Sequence, residues 1–189
     1  MSAGAQHLEP REFDVIIIGT GSGNSILTPD FEHKRVAIVE KDIFGGTCLN
    51  RGCIPTKMFV YAADVASHIR HSSVYGIDSQ INGIRWPDIV DRIFGRIDPI
   101  PPSGKAYRES TANTTVFTAE GRFVGAKVIE TKGPDGAVRQ ITADTIVIAA
   151  GSQPYIPDIA GLDGIEYHTS DTIMTVSYTH LTLPTICSV

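Results

Sequence analysis

The fold is decided by FDVIIIGTGSGN at Phe13–Asn24, together with RVAIVE at Arg35–Glu40. Phe13–Gly19 and Arg35–Glu40 are short, β-branched apolar runs, which is typical of strands buried on both faces of a parallel sheet. Between them lie a glycine-rich turn and room for a short helix to about Glu32, which Pro29 prevents from being long. A strand, glycine turn, crossover and strand within about thirty residues predict the βαβ unit that opens a dinucleotide-binding fold.

The glycine turn contains the first candidate binding residues. Gly19 would permit the tight turn, and Gly21 would let the backbone approach a pyrophosphate at a helix N-terminus. The third glycine position of the motif holds Asn24, which we expect to loosen the helix–strand packing unless Gly23 compensates. Glu40 ends the second strand, where a carboxylate would accept hydrogen bonds from a ribose hydroxyl pair. An ordinary glycine-rich loop is the alternative interpretation.

The cysteines suggest chemistry rather than a scaffold. Cys48 and Cys53 form a Cys-x4-Cys pair, and Cys187 stands alone. A disulfide-rich secreted fold would need more cysteines, and a zinc site would need further ligands at suitable spacing. The six histidines form no such cluster, so we expect no metal site (His7, His33, His68, His71, His168, His180). A redox pair and two idle buried thiols both remain open.

The rest of the chain changes from helical to strand periodicity. Apolar spacing predicts core-facing helices at Thr56–His71 and Trp86–Ile97, and a further helix at Ser103–Ser110 after a proline-rich break. From Thr114 the pattern predicts a small antiparallel meander with a turn at residues 133–136, then a separate buried parallel strand at Thr145–Ala150. The predicted meander strands are Thr115–Thr118, Arg122–Val124, Lys127–Thr131 and Val138–Thr142.

Residues Gly45–Lys57, GGTCLNRGCIPTK, resemble the active-site block of the flavin-dependent pyridine nucleotide-disulfide oxidoreductases. The resemblance covers roughly Phe13–Thr175. It implies an α/β, Rossmann-like FAD-binding domain, with a three-layer architecture around a parallel sheet and a small antiparallel β-meander, truncated relative to the family. FAD rather than NAD would occupy the first dinucleotide site. Four further stretches resemble one branch of this family: Ile18–Ser25, Lys57–Ala63, Phe94–Ile100 and Tyr167–Met174.

The resemblance also assigns roles to residues. Cys53 would lie next to the flavin as the charge-transfer thiolate, and Cys48 would be the interchange thiol that attacks the substrate disulfide. Lys57 would sit near the flavin ring, and Thr47 would contact the FAD phosphates. A loop as short as Leu49–Gly52 stabilises a fold less than the roughly 3 kcal/mol of a 15-residue loop, which favours a redox role. The complete expected FAD-binding set is Gly19, Gly21, Ser22, Gly23, Glu40, Lys41, Gly46, Thr47, Lys57, Gly121, Ala150, Gly151 and Ser152.

The length of 189 residues is less than half of what the resemblance implies for the family. We expect a disordered tail at 1–12, the first FAD segment at 13–175, and a non-family tail at 176–189 from a truncated gene or an assembly artefact. The NADPH-binding domain and the dimerisation domain, with its acid/base His–Glu pair, would be absent. His168 and His180 do not match that histidine. The full-length family would form homodimers, but this fragment would not.

Composition excludes other classes of protein. A net charge of −5 argues against a nucleic-acid partner, and no apolar run reaches about 18 residues, so no membrane partner is expected. The polar N-terminus resembles no export signal, which predicts a cytoplasmic protein. The leading hypothesis is electron transfer from NADPH through FAD and the Cys48–Cys53 disulfide to a low-molecular-weight disulfide. The alternatives are an enzyme like dihydrolipoyl dehydrogenase or glutathione reductase, an FAD-binding module, and a non-functional remnant.

Overall fold

The computed structural model describes residues 10–176, which form two compact units. The first, termed the sheet unit, comprises residues 10–50 and 99–152. The second, termed the helical unit, comprises residues 51–98 and 153–176. Most of the tail expected at 1–12, and nearly all of that expected at 176–189, lie outside the described residues. Arg11 and Glu12, which the expected disordered tail included, instead begin the first strand of the sheet. The rest of both tails stays a prediction.

A six-stranded mixed sheet forms the sheet unit. The strands lie in the order β3-β2-β1-β6-β5-β4. Strands β3, β2, β1 and β6 pair in parallel, whereas β4, β5 and the start of β6 pair antiparallel. The predicted α/β, Rossmann-like class with an antiparallel meander is therefore confirmed. The strand bounds are β1 Arg11–Ile18, β2 Val36–Glu40, β3 Thr114–Thr118, β4 Glu120–Gly125, β5 Val128–Lys132 and β6 Val138–Ile148.

Two strand assignments made from the sequence are wrong in detail. Strand β3 was expected in the meander, yet it pairs in parallel with β2. Val138–Thr142 and Thr145–Ala150 were expected as separate strands, yet β6 runs through both. The polar Asp144 does not interrupt β6, because its side chain is exposed and its carbonyl accepts a hydrogen bond from Lys127 Nζ at 2.7 Å. A single strand therefore joins the parallel and antiparallel parts of the sheet.

The apolar runs of β1 and β2 are buried on both faces, as their composition predicts. Successive strand residues point to opposite faces, and Ile16 and Ile17 are both 0% exposed. Ile16 belongs to a core cluster that includes Ile129 and Ile141, whereas Ile17 belongs to a second cluster with Ile38. The central parallel strands are thus covered on both sides, which fixes their register and the position of their carboxyl ends.

The glycine turn leads into two short 3-10 helices, Ser22–Ile26 and Pro29–Phe31, rather than one helix. Thr28 between them is extended, because the residue before a proline is disfavoured in helical geometry. Two α-helices complete the sheet unit: α1 spans Gly46–Asn50 and α4 spans Ile100–Ser110. Helix α4 begins two residues after Asp98, with prolines in its first turn, where they remove no helical hydrogen bond.

The helical unit contains α2, Cys53–His71, and α3, Trp86–Ile97. Phe59 of α2 stacks on Trp86 of α3 with ring centroids 5.3 Å apart. A groove of about 940 Å³ runs along both helices, and Val65 beside it is 44% exposed. The apolar face of α2, expected in the core, therefore lines an open groove in this chain. The 3-10 helices of this unit are Ser72–Tyr75, Leu162–Gly164 and Ile173–Thr175. Within residues 10–176, no helix is both long and apolar enough to cross a membrane.

Candidate functional site

The candidate residues of the sheet unit lie at one edge of the sheet, where four parallel strands have their carboxyl ends. Gly19 follows β1, Glu40 ends β2, and Ala150 lies two residues after β6. Gly121 lies in β4, three residues after the end of β3, and a Cβ placed there would be 3.1 Å from Val39 Cγ1. Ligands of open parallel sheets bind outside this edge. The predicted residues of this edge that lie in the sheet unit are Gly19, Gly21, Ser22, Gly23, Glu40, Lys41, Gly46, Thr47, Gly121, Ala150, Gly151 and Ser152.

Three glycines of the site have no room for a side chain. A Cβ on Gly19, whose φ is +102°, would lie 2.2 Å from the Ala149 carbonyl oxygen. A Cβ on Gly23 would lie 2.3 Å from Ala149 Cβ. A Cβ on Gly46, with φ of +70°, would lie 2.6 Å from Gly21 Cα. The turn after β1 is therefore packed backbone to backbone against both the end of β6 and the start of α1.

A hydrogen-bond network joins this turn to Glu40. The backbone N–H and the hydroxyl of Thr20 both donate to Glu40 Oε2, at 2.9 and 2.6 Å. The Thr20 hydroxyl oxygen accepts the backbone N–H of Gly45 at 2.9 Å, and Glu40 Oε1 accepts that of Asp42 at 2.9 Å. The sequence analysis did not identify Thr20, because the glycine motif leaves its position unspecified. The available signal was a hydroxyl between two glycines, followed twenty residues later by a carboxylate.

Asn24 closes the turn rather than loosening it. The side-chain NH2 of Asn24 donates to the Gly19 backbone carbonyl at 2.8 Å. The backbone carbonyl of Asn24 accepts a hydrogen bond from Arg108 Nη2 at 3.2 Å. Asn24 is 7% exposed, and its Oδ1 has no hydrogen-bond partner among the described residues. The close packing that a third glycine would allow is made instead at Gly23. A buried acceptor without a donor is unfavourable, so Oδ1 is suited to a donor from a ligand or an ordered water.

The two cysteines of the pair follow the glycine turn and Glu40 along the chain. Cys48 lies in α1 of the sheet unit and is exposed. Asn50, at the end of α1, donates to the carbonyls of Phe44 and Gly46 and so holds the start of that helix. In the helical unit, Cys53 is the first residue of α2 and is exposed, with Lys57 one turn later on the same helix face. Both thiols are accessible to solvent, which argues against idle buried thiols. Cys187 lies outside the described residues.

One carboxyl has a displaced pKa, at the opposite end of the strands. Asp14 accepts the Arg35 backbone N–H at 2.6 Å, and the Arg35 guanidinium lies 3.3 Å away. These two hydrogen bonds to Arg35 stabilise the charged carboxylate and lower the pKa of Asp14. The pair ties the start of β1 to the start of β2.

The sheet edge suits an organic dinucleotide better than a metal. Glycines at residues 19, 21 and 23 follow the pattern by which a strand-to-helix turn brings backbone close to a pyrophosphate, and Glu40 supplies a carboxylate for a diol. The glycine turn Gly19–Asn24 and Glu40 are termed the cradle. Within the part of the chain that the structure describes, no three His, Cys, Asp or Glu side chains could together hold a metal ion. The residues present therefore fit the FAD that the sequence resemblance implies.

Comparison with known proteins supports the same interpretation. Residues 13–183 match the family described as pyridine nucleotide-disulphide oxidoreductase. The chain is 52% identical over 170 residues to mycothione reductase of Mycobacterium tuberculosis, covering 87% of this chain and 36% of that protein. It is 34% identical over 146 residues to dihydrolipoyl dehydrogenase of Chlamydia pneumoniae, covering 76% and 31%. A dihydrolipoyl dehydrogenase of Acholeplasma laidlawii is 30% identical over 155 residues, covering 80% and 44%. The chain thus spans between 31% and 44% of the length of these relatives.

Proposed function

The chain belongs to the pyridine nucleotide-disulphide oxidoreductase family, and from that premise we propose that it supplies the FAD cradle and the redox cysteines of a disulfide reductase. The observation that carries the proposal is the contact between the glycine turn and the segment that leads to Cys48. Gly46 packs on Gly21, and Gly45 is hydrogen bonded to Thr20. One compact unit thus holds the dinucleotide cradle and the first cysteine.

The residues of the cradle would hold FAD in defined ways. The backbone around Gly19, Gly21 and Gly23 would accept the pyrophosphate, and Glu40 would accept the ribose hydroxyls. When bound, FAD supplies two-electron transfer between a nicotinamide and a disulfide. The remaining expected contacts are Ser22, Lys41, Gly46, Thr47, Gly121, Ala150, Gly151 and Ser152 in the sheet unit, and Lys57 in the helical unit.

The cysteines would carry out thiol–disulfide exchange. The Cys48 thiolate attacks one sulfur of the substrate disulfide, whose S–S bond breaks to release one thiol and leave a mixed disulfide on Cys48. The Cys53 thiolate then attacks the Cys48 sulfur, releasing the second thiol and forming the Cys48–Cys53 disulfide. In the whole protein, NADPH would supply the hydride that, with one proton, restores the dithiol, so that two substrate thiols would form for each NADPH oxidised. Exposure of both thiols suits this exchange.

Within the family, the substrate we propose is a low-molecular-weight disulfide like that of mycothione reductase. The identity of 52% to mycothione reductase exceeds the 30–34% to the dihydrolipoyl dehydrogenases compared above. An enzyme like dihydrolipoyl dehydrogenase is the second candidate, supported by that weaker similarity. The whole protein would use NADPH, act as a homodimer and work in the cytoplasm.

The decisive experiment is spectroscopic. The 189-residue chain, purified and supplied with FAD, is expected to bind flavin and, after addition of two electrons from dithionite, to show long-wavelength absorbance from the Cys53 thiolate beside the flavin. Cys53→Ser should abolish this absorbance without releasing the flavin, whereas the matched control Cys187→Ser should preserve it. A chain that stays colourless with excess FAD would overturn the proposal. Bound flavin without the Cys53-dependent absorbance would indicate a binding module.

A further inference from the structure

We propose that Thr20 is a positioning residue whose hydroxyl couples the Glu40 carboxylate to the backbone N–H of Gly45, directly before the helix that carries Cys48. The inference rests on the proposed function for the identity of the ligand at Glu40. The coupling itself rests on the contacts of residues 19–46 within the sheet unit. None of the roles assigned above to the glycines, Glu40 or the cysteines includes this residue.

The direction of the hydrogen bonds at Thr20 follows from the count of its hydrogens. Thr20 is 5% exposed, so its hydroxyl depends on protein partners. A hydroxyl has one hydrogen and two acceptor lone pairs. Because the Gly45 N–H, 2.9 Å away, can only donate, it takes a lone pair of the Thr20 oxygen. The Thr20 hydrogen therefore points to Glu40 Oε2, 2.6 Å away.

Two hydrogen bonds in series strengthen one another. A carboxylate acceptor polarises the Thr20 O–H bond and makes its oxygen a better acceptor for Gly45. Glu40 also accepts the Asp42 N–H directly. The same carboxylate thus holds the segment 41–45 near its start directly and at its end through Thr20. A ligand that donates hydrogen bonds to Glu40 would therefore change the hydrogen bonds of both the Asp42 and the Gly45 N–H.

The end of that segment is where small displacements matter. Gly45 and Gly46 both have positive φ, at +104° and +70°. Gly46 lies against Gly21 with no space for even a methyl group. Helix α1 begins at Gly46 and contains Cys48 two residues later. A change in the Gly45 hydrogen bond therefore acts at the residue directly before the helix that presents the thiol.

Amide hydrogen exchange of Gly45 in the ¹⁵N-labelled 189-residue chain tests the coupling. Thr20→Val removes the acceptor while keeping the shape, and should speed Gly45 exchange about tenfold, the effect of one lost hydrogen bond. Thr20→Ser should restore slow exchange. Glu40→Gln, which does not contact Gly45, should speed its exchange several-fold, and should have a smaller effect in a Thr20→Val background, where the path through the hydroxyl is gone and the bond to Asp42 remains. Thr142→Val is the matched control, since the Thr142 hydroxyl bonds Lys127 instead.

The outcomes separate the coupling from the proposed function. Unchanged Gly45 exchange in Thr20→Val, or additive effects of the two substitutions, would overturn the coupling. If Thr20→Val does not fold, Glu40→Gln is compared with wild type, and an unchanged Gly45 amide then overturns the coupling. FAD added to the wild type should alter Gly45 exchange, and Thr20→Val should abolish that response. Failure of the wild type to bind FAD would instead count against the proposed function.

Discussion

The sharpest stability prediction concerns the contact of Gly23 with Ala149. Gly23→Ala places a new Cβ 2.3 Å from Ala149 Cβ, whereas carbon atoms in contact are normally about 3.5–4.0 Å apart. The two chain segments must therefore separate by more than about 1 Å, or the new methyl must displace the end of β6. Gly23 does not have the positive φ that excludes side chains, so backbone strain adds nothing and the penalty is purely steric.

The magnitude follows from the known effects of overpacking. Forced insertion of a methyl group into a packed site costs about 1–3 kcal/mol of unfolding free energy. At roughly 2–4 °C per kcal/mol for a chain of this size, the melting temperature should fall by roughly 2–12 °C. Ala149→Gly removes the opposing methyl. The double variant Gly23→Ala/Ala149→Gly should therefore regain most of the loss caused by Gly23→Ala.

Urea unfolding, followed by circular dichroism, measures these differences. The matched control is Gly104→Ala in α4, where a Cβ would meet Phe44 at an ordinary 3.7 Å. That substitution should stabilise the chain by up to about 1 kcal/mol, because alanine favours helices over glycine. The reasoning is refuted if Gly23→Ala is as stable as wild type, or if Ala149→Gly worsens the Gly23→Ala variant instead of rescuing it.

Three further predictions concern other parts of the sheet unit. Because Arg35 lowers the pKa of Asp14, Asp14 stabilises the fold above its unfolded pKa of about 3.9, and this contribution is lost as the pH falls through the lower folded value. Asp14→Asn should be less stable than wild type at pH 7, with a difference that vanishes in acid; a difference independent of pH would contradict this. Glu40→Gln should weaken FAD binding about tenfold or more in fluorescence titrations, by loss of charge-assisted hydrogen bonds, and an affinity within twofold of wild type would exclude a ribose contact. Ile129→Ala, at a fully buried position, should cost about 2–5 kcal/mol in urea unfolding, and a loss below about 1 kcal/mol would disprove its place in the core.

Local patterns in the sequence were sufficient for the central strands and for one helix. The runs around Ile16 and Ile38 contain apolar residues at successive positions, and only strands covered on both faces bury such runs. Trp86–Ile97 was predicted with its observed bounds, because a proline in the first turn and another after the last turn limit it. The glycine motif likewise placed Gly19 where no side chain fits, whereas the close packing expected at the third motif position is made one residue earlier, at Gly23.

Features that depend on distant residues could not be predicted. Nothing local to Thr115–Thr118 shows whether its neighbour is β2 or β4, since parallel and antiparallel strands share the same propensities. The continuity of β6 depends on partners on both of its sides, which are remote in sequence. The importance of Thr20 arises only when the fold brings Gly45 to its hydroxyl. The functional assignment of Cys48 and Cys53 came from family resemblance, because their spacing alone left two interpretations open.

The position of β6 next to β1 has a consequence for protein synthesis. Arg11 pairs with Ile141, a separation of 130 residues (141 minus 11). At about 5–20 residues per second, a ribosome needs roughly 6 to 26 s to translate that interval. Until β6 is made, the edge of β1 that pairs with it has no partner strand. The unpaired backbone groups of this apolar strand can then pair with other chains, which promotes aggregation. The nascent chain is therefore expected to need protection by a chaperone until β6 emerges, and codon changes that slow translation before residue 138 should reduce the soluble yield.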